Sequence, residues 1–260
     1  MLTEYQLLAG AILYESSNIT KTFLDFNAAY RALVDSDPLP PQLSIQQIAF
    51  NGPPAGGRLL AAIFIWSSPD LDAGQAWAAK IAALAPSIAN MVAETTVPAF
   101  LASTAALIPS TAYGSPLTHN IRSITPEVAE TIGEYLAQLP SDPATMLVMH
   151  HLRGPSAAEQ AHSNVFMSRE EHYMLEILGY AVEEKNSAEA MEWAMQMASE
   201  VERADPANVL PTAYISICNN AAKPSDEVLR KAYGSKAGLV RDLKRGFDPE
   251  NVFRLTVPEL

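Results

Sequence analysis

Two rhythms of apolar and polar positions run through the chain. Gln6–Glu15, Leu43–Phe50 and Arg58–Trp66 are short and rich in aliphatic and aromatic residues, with eight-residue runs at Leu7–Tyr14 and Leu59–Trp66. Runs of that length predict buried strands. Asn51–Gly57 holds two prolines and three glycines, so the second and third strands should form a hairpin. Between the first two strands the spacing changes. Phe23, Phe26, Tyr30 and Leu33 recur at helical intervals behind Asn18 as N-cap, and the proline-rich Asp37–Pro41 stops that helix.

Further along, helices are expected from Asp72 to about Leu84 and within Thr95–Ile108 after Pro98. Thr125-Pro126-Glu127 reads as an N-cap with proline at the first helical position, and Val128, Ile132, Tyr135 and Leu139 form the buried stripe that follows. Asn186 and Glu189 suggest a capping box opening a helix to about Ala204. Thr145–Arg153, a long stretch of Arg169–Val182, and Ala213–Cys218 read as strands; Ser110–Asn120 reads as irregular or a short strand. Ser225 and Ser235 should cap two short helices, with Gly246 ending the second. No repeat or flexible linker divides the chain. The expectation is one α+β domain over residues 1–260, a large antiparallel sheet of about seven strands with helices packed mainly on one face.

Composition narrows the function. The chain has 260 residues, 48% hydrophobic and only 18% charged, against about 25% charged in ordinary soluble domains, so a large interior is expected. Seventeen Lys and Arg stand against 29 Asp and Glu, a net charge of −12. Such a surface repels phosphate backbones and anionic lipid heads, which argues against nucleic acid or a membrane surface as partner. Cys218 is the single cysteine, so no internal disulfide and no cysteine-based zinc site can form. The start lacks the basic residues of a signal peptide, and a soluble, cytoplasmic protein is expected.

The C-terminal region carries the most specific pattern. Ala232-Tyr233-Gly234, a helix, and Phe247-Asp248-Pro249-Glu250-Asn251-Val252-Phe253-Arg254 resemble the closing segment of the berberine bridge enzyme family, within the vanillyl-alcohol-oxidase-type flavoproteins. Arg169 after Phe166, and Ala213-Tyr214-Ile215-Ser216, resemble two strand motifs of that family's substrate domain. The resemblance implies a large antiparallel sheet whose uncovered face looks towards substrate and flavin. It also implies that the chain begins where the family's N-terminal FAD-binding domain would end. Positions that support flavin in the family are altered here: an asparagine after Tyr-Gly is Lys236, and the Asn-x-Gln after Phe-Arg is Leu255-Thr256-Val257. The family's tyrosine base matches Ile217, and its glutamate base matches Leu175, next to Glu176.

Some chemistry remains. On a strand, His172, Met174, Glu176, Leu178 and Tyr180 share a face, so His172, Glu176 and Tyr180 form a polar row. An acid or base in an apolar cavity titrates nearer neutrality and can move protons. Glu176 and His172 are the candidate acid–base residues, and Tyr180 would orient substrate. Met174, His151, Ile215 and Ile217 are candidate substrate contacts. His150 and His151 are adjacent, point to opposite faces and cannot chelate one metal together; His119 and His162 fall in expected loops. No metal site is expected. Met191, Met195, Met197 and Trp193 read as packing, and no nucleophile elbow occurs.

Two functional readings lead. In the first, the chain is an enzyme without cofactor, an isomerase, cyclase or dehydratase acting on a hydrophobic natural-product intermediate. In the second, it is the substrate-binding half of an FAD-dependent oxidoreductase, with FAD supplied by a separate domain. A third is a binding protein without catalysis. The apolar surface left by a missing domain predicts a homodimer.

Overall fold

The computed structural model describes residues 6–52, 57–154, 157, 165, 169–214 and 225–254. Its strands are β1 (Gln6–Tyr14), β2 (Leu43–Asn51), β3 (Arg58–Trp66), β4 (Ser87–Asn90), β5 (Ala93–Thr96), β6 (Tyr113–Ile121), β7 (Met146–Leu152) and β8 (His172–Ala181). Its helices are α1 (Ile19–Ser36), α2 (Leu71–Ala82), α3 (Val97–Ala105), α4 (Pro126–Leu136), α5 (Ser187–Ala204), α6 (Ser225–Tyr233) and α7 (Ala237–Phe247). The strands form one antiparallel sheet in the order β4-β1-β3-β2-β7-β8-β6, with β5 beside β4 along β1. The α+β architecture expected from the sequence is present, with eight strands.

Because side chains alternate along a strand, register sorts the sheet into two faces. Leu8, Ile12, Phe64, Met149, Leu175 and Ile177 belong to one core with Phe23, Phe26 and Tyr30 of α1, Ile132 of α4 and Trp193 of α5. Each fully buried side chain of this kind contributes roughly 2 kcal/mol by leaving water. Gly179 lets α5 approach β8: a Cβ there would lie 2.9 Å from Ala194 Cβ and 3.0 Å from Met191 Sδ. The opposite face carries Met146, Val148 and His150 of β7 and Met174, Glu176 and Leu178 of β8.

Several elements differ from expectation. Ser110–Asn120 is most of β6, paired along its whole length with β8. Gly114, Pro116, Thr118 and Asn120 hide it from pattern reading; long-range pairing makes it a strand, and Pro116 is tolerated in the last strand of this order. β4 and β5 were not foreseen. The expected capping box does not form, because Asn186 Nδ2 donates to Asp142 Oδ2 at 3.1 Å instead. Ser235 lies inside a 3-10 turn, Gly234–Lys236, and α7 continues through Gly246 to Phe247. In the C-terminal turn, Val252 N and Phe253 N donate to the Asp248 carboxylate at 2.7 and 3.1 Å. Asn251 takes a left-handed φ of 52°, which asparagine tolerates better than most residues. Phe247 and Phe253, at the two ends of this turn, are 86% and 66% exposed. The Ala213–Cys218 strand lies almost wholly outside the described residues.

Candidate functional site around Glu176

Glu176 lies on the sheet face opposite the one packed on α1, α4 and α5, beside Val148 of β7 and Thr118 of β6. One step along, Met174 lies between His150 and Asn120. Glu176 Oε1 is 3.3 Å from His150 Nε2, and both side chains are 20% exposed. The imidazole nitrogen is buried and makes no hydrogen bond. Three more buried polar atoms without partners belong to the same face: Thr118 Oγ1, Asn120 Oδ1 and His172 Nε2. Buried polar atoms are paired in the great majority of cases, so four unpaired ones on neighbouring strands mark a place where a ligand could supply the missing bonds.

The network assigns roles to these atoms. His172 is 1% exposed, and its Nδ1 lies 2.7 Å from Glu170 O. A carbonyl only accepts, so Nδ1 carries the proton, and Nε2 of the neutral ring presents a lone pair. Asn120, 2% exposed, donates through Nδ2 to Thr212 Oγ1 at 2.9 Å, which leaves Oδ1 as the free acceptor. Met174, 7% exposed, forms an apolar floor between them. Tyr180 shares the face but stands four residues from Glu176, roughly 13 Å along the strand; partial burial raises its phenol above the ordinary value.

His151 does not join this group. Register puts it on the helix side, where it is buried and stacked on Tyr173 with ring centres 4.3 Å apart. Tyr30 OH lies 3.0 Å from its Nδ1, and Glu171 Oε1 lies 3.0 Å from its Nε2. The carboxylate requires the proton on Nε2, so Tyr30 donates to Nδ1. Desolvation lowers the His151 pKa to about 4 despite the nearby Glu171. This group borders a separate cleft of about 380 Å³. His151 therefore stands on the other face from Met174, and His150 shares the Met174 face, because adjacent residues of one strand face opposite ways. Ile215 and Ile217 lie outside the described residues. Sequence reasoning missed His150, Thr118 and Asn120 as site residues. His150 had the right parity on its strand, but the pairing of β6, β7 and β8 was needed to bring all three together.

A larger cleft, about 570 Å³, opens at the start of α1 between Ser16 and Arg58; none of its lining residues holds a buried unpartnered polar atom. Among the described residues, no cluster of three or more His, Cys, Asp or Glu could hold a metal ion, and no helix is long and apolar enough to cross a membrane.

No protein-family model matches the chain. It is 27% identical over 256 residues to the FAD-linked oxidoreductase aurO of Gibberella zeae, covering 95% of this chain and 46% of aurO. Its fold resembles 6-hydroxy-D-nicotine oxidase from Arthrobacter nicotinovorans, with a TM-score of 0.70, 17% identity and coverage of 97% of this chain and 54% of that one. Berberine bridge enzyme from Eschscholzia californica gives a TM-score of 0.65, 13% identity, and coverage of 98% and 55%. The oxidoreductase GilR, crystallised with pregilvocarcin, gives 0.72, 13%, 95% and 54%. The fold is thus that of berberine bridge enzyme-like flavoenzymes of the vanillyl-alcohol-oxidase type, and the sequence is similar to that of an FAD-linked oxidoreductase. The chain spans about half the length of these relatives.

The relative aurO is FAD-linked, and the pyrophosphate of FAD needs a cradle of backbone N–H groups. Gly52 and Gly57 instead close the β2–β3 hairpin, with Gly52 N donating to Gly57 O at 2.8 Å, and Gly234 belongs to a 3-10 turn. These glycines form turns and do not build such a cradle.

Proposed function

We propose that the chain binds a hydrophobic small molecule against the sheet face that carries Glu176 and His150 and moves a proton on it without a flavin of its own, as an isomerase or cyclase does. The observation that carries this reading is the Glu176–His150 pair, 3.3 Å apart, among buried polar atoms that lack partners. A carboxylate and an imidazole at that distance can divide acid and base roles. Glu176 takes a proton from one substrate atom, His150 supplies one to another, and the substrate keeps its composition. The changed flavin-support positions at Lys236 and Leu255-Thr256-Val257 motivate the non-redox form.

Relationship to an FAD-linked oxidoreductase across 95% of the chain favours a second reading, in which the same site serves flavin-dependent oxidation when a separate FAD-binding domain is supplied. Gel filtration after mixing with FAD separates the two. A colourless protein is expected, and a stoichiometric flavin spectrum rejects the first reading. For catalysis, Glu176→Gln keeps size and removes the titratable group. Turnover should fall on the order of 10²-fold or more with the circular dichroism spectrum unchanged. Full activity in that variant rejects the acid–base assignment.

A further inference from the structure

We infer that the cleft beside α1, on the helix side of the sheet, binds a free α-amino acid with a flat, apolar side chain. The cleft measures about 380 Å³, within the range of small-molecule pockets. Arg31 and Asp35 of α1 line it together with Arg122, Glu171 and the start of α4, so charges of both signs border one cavity. Arg31 and Asp35 stand one helical turn apart, a spacing at which opposite charges can pair. Here they do not. Arg31 Nη2 donates to Ile124 O at 2.6 Å, and Asp35 has no hydrogen-bond or ion-pair partner among the described residues. Glu171 accepts from His151 at 3.0 Å, but desolvation keeps that ring neutral near pH 7, so the carboxylate charge is not cancelled. Arg122 donates to Ala207 O at 2.8 Å and lies 3.7 Å from Glu170. The positive end of the α4 dipole adds to the two arginines. A simple anion here would face Asp35 and Glu171, and a simple amine would face Arg31 and Arg122. An α-amino acid carries both charges on one carbon. Its carboxylate suits Arg31 and the start of α4, and its ammonium group suits Asp35 and Glu171. Val34, Ile124 and Tyr173 also line the cleft and offer apolar and aromatic surface to the side chain. The inference is independent of the chemistry proposed at Glu176, which lies on the other face of the sheet.

The test titrates the full chain by isothermal titration calorimetry with three ligands: L-phenylalanine, hydrocinnamate, which lacks the ammonium group, and phenethylamine, which lacks the carboxylate. L-Phenylalanine should bind at least about tenfold more tightly than either analogue, the equivalent of one charge-assisted hydrogen bond. Asp35→Asn removes a charge without breaking a bond of the free protein among the described residues. It should weaken L-phenylalanine about tenfold and leave hydrocinnamate unchanged or tighter. Arg31→Gln should weaken L-phenylalanine and hydrocinnamate alike and leave phenethylamine unchanged or tighter. No binding of L-phenylalanine up to millimolar concentration, an analogue that binds as tightly, or full affinity for L-phenylalanine in either variant overturns the inference.

Discussion

At His151 the surroundings decide the protonation state. Burial strips its ring of water and the charge of Arg153 also opposes protonation, while Tyr30 of α1 and Glu171 bond its two nitrogens and Tyr173 covers its ring. The folded-state pKa is about 4, against an ordinary value of 6.5. A depressed histidine pKa means that the unfolded chain binds more protons between these values, so stability rises with pH there. The contribution is fully present above pH 6.5 and is lost as pH falls towards 4, on the order of 3 kcal/mol in all. Urea unfolding from pH 7.5 to 4 should show this loss, and His151→Phe should flatten it. An unchanged slope in that variant would assign the acid sensitivity to other groups. Glu176 and His172 could be named from strand parity alone. Their partners His150, Thr118 and Asn120 could not, since each comes from a strand whose register only long-range pairing establishes.

Among the elements, the join between β7, β8 and α5 depends on one buried carboxylate. Asp142 accepts from Ala144 N at 3.0 Å, Val182 N at 2.9 Å and Asn186 Nδ2 at 3.1 Å. Burial pushes its carboxyl up, but these donors outweigh that and hold it below the usual carboxylate value. Asp142→Ala should cost roughly 3 kcal/mol, since it leaves several buried donors unpaired. The neighbouring contact is steric. Gly179→Val would drive a side chain into Ala194 and Met191, costing about 1–3 kcal/mol through overpacking. Chemical denaturation measures both, and neutral outcomes would mean that α5 is held by other contacts. Local patterns sufficed for β1, β2, β3, α1 and α4, where apolar runs or stripes are strong. They failed at the Asn186 cap, where a distant aspartate captured the side chain expected to serve its own helix.

For the whole molecule, the distribution of charge bears on assembly. Between Lys80 and Arg122, Glu94 is the only residue with a formal charge, on a chain that carries −12. This stretch includes β4, β5 and α3, and it leaves Ile88, Met91, Leu101, Leu107 and Ile108 between 54% and 83% exposed. Interface centres are depleted in charge, and two acidic copies can meet here with little repulsion. We propose a homodimer through this edge. Sedimentation at tens of micromolar should give twice the monomer mass, and Leu101→Glu should give monomer; a monomeric parent protein would reject the proposal. The sequence by itself determined the α+β class, the first hairpin, the main apolar helical stripes and the shared face of His172, Glu176 and Tyr180, because these follow from periodicities of two and 3.6 residues. Tertiary structure alone decided that Tyr113–Ile121 is a full strand rather than irregular chain, that His150 rather than His151 meets Glu176, and which polar atoms make no hydrogen bond. Those outcomes depend on strand order and register, which join residues far apart in the chain and leave no local periodic trace.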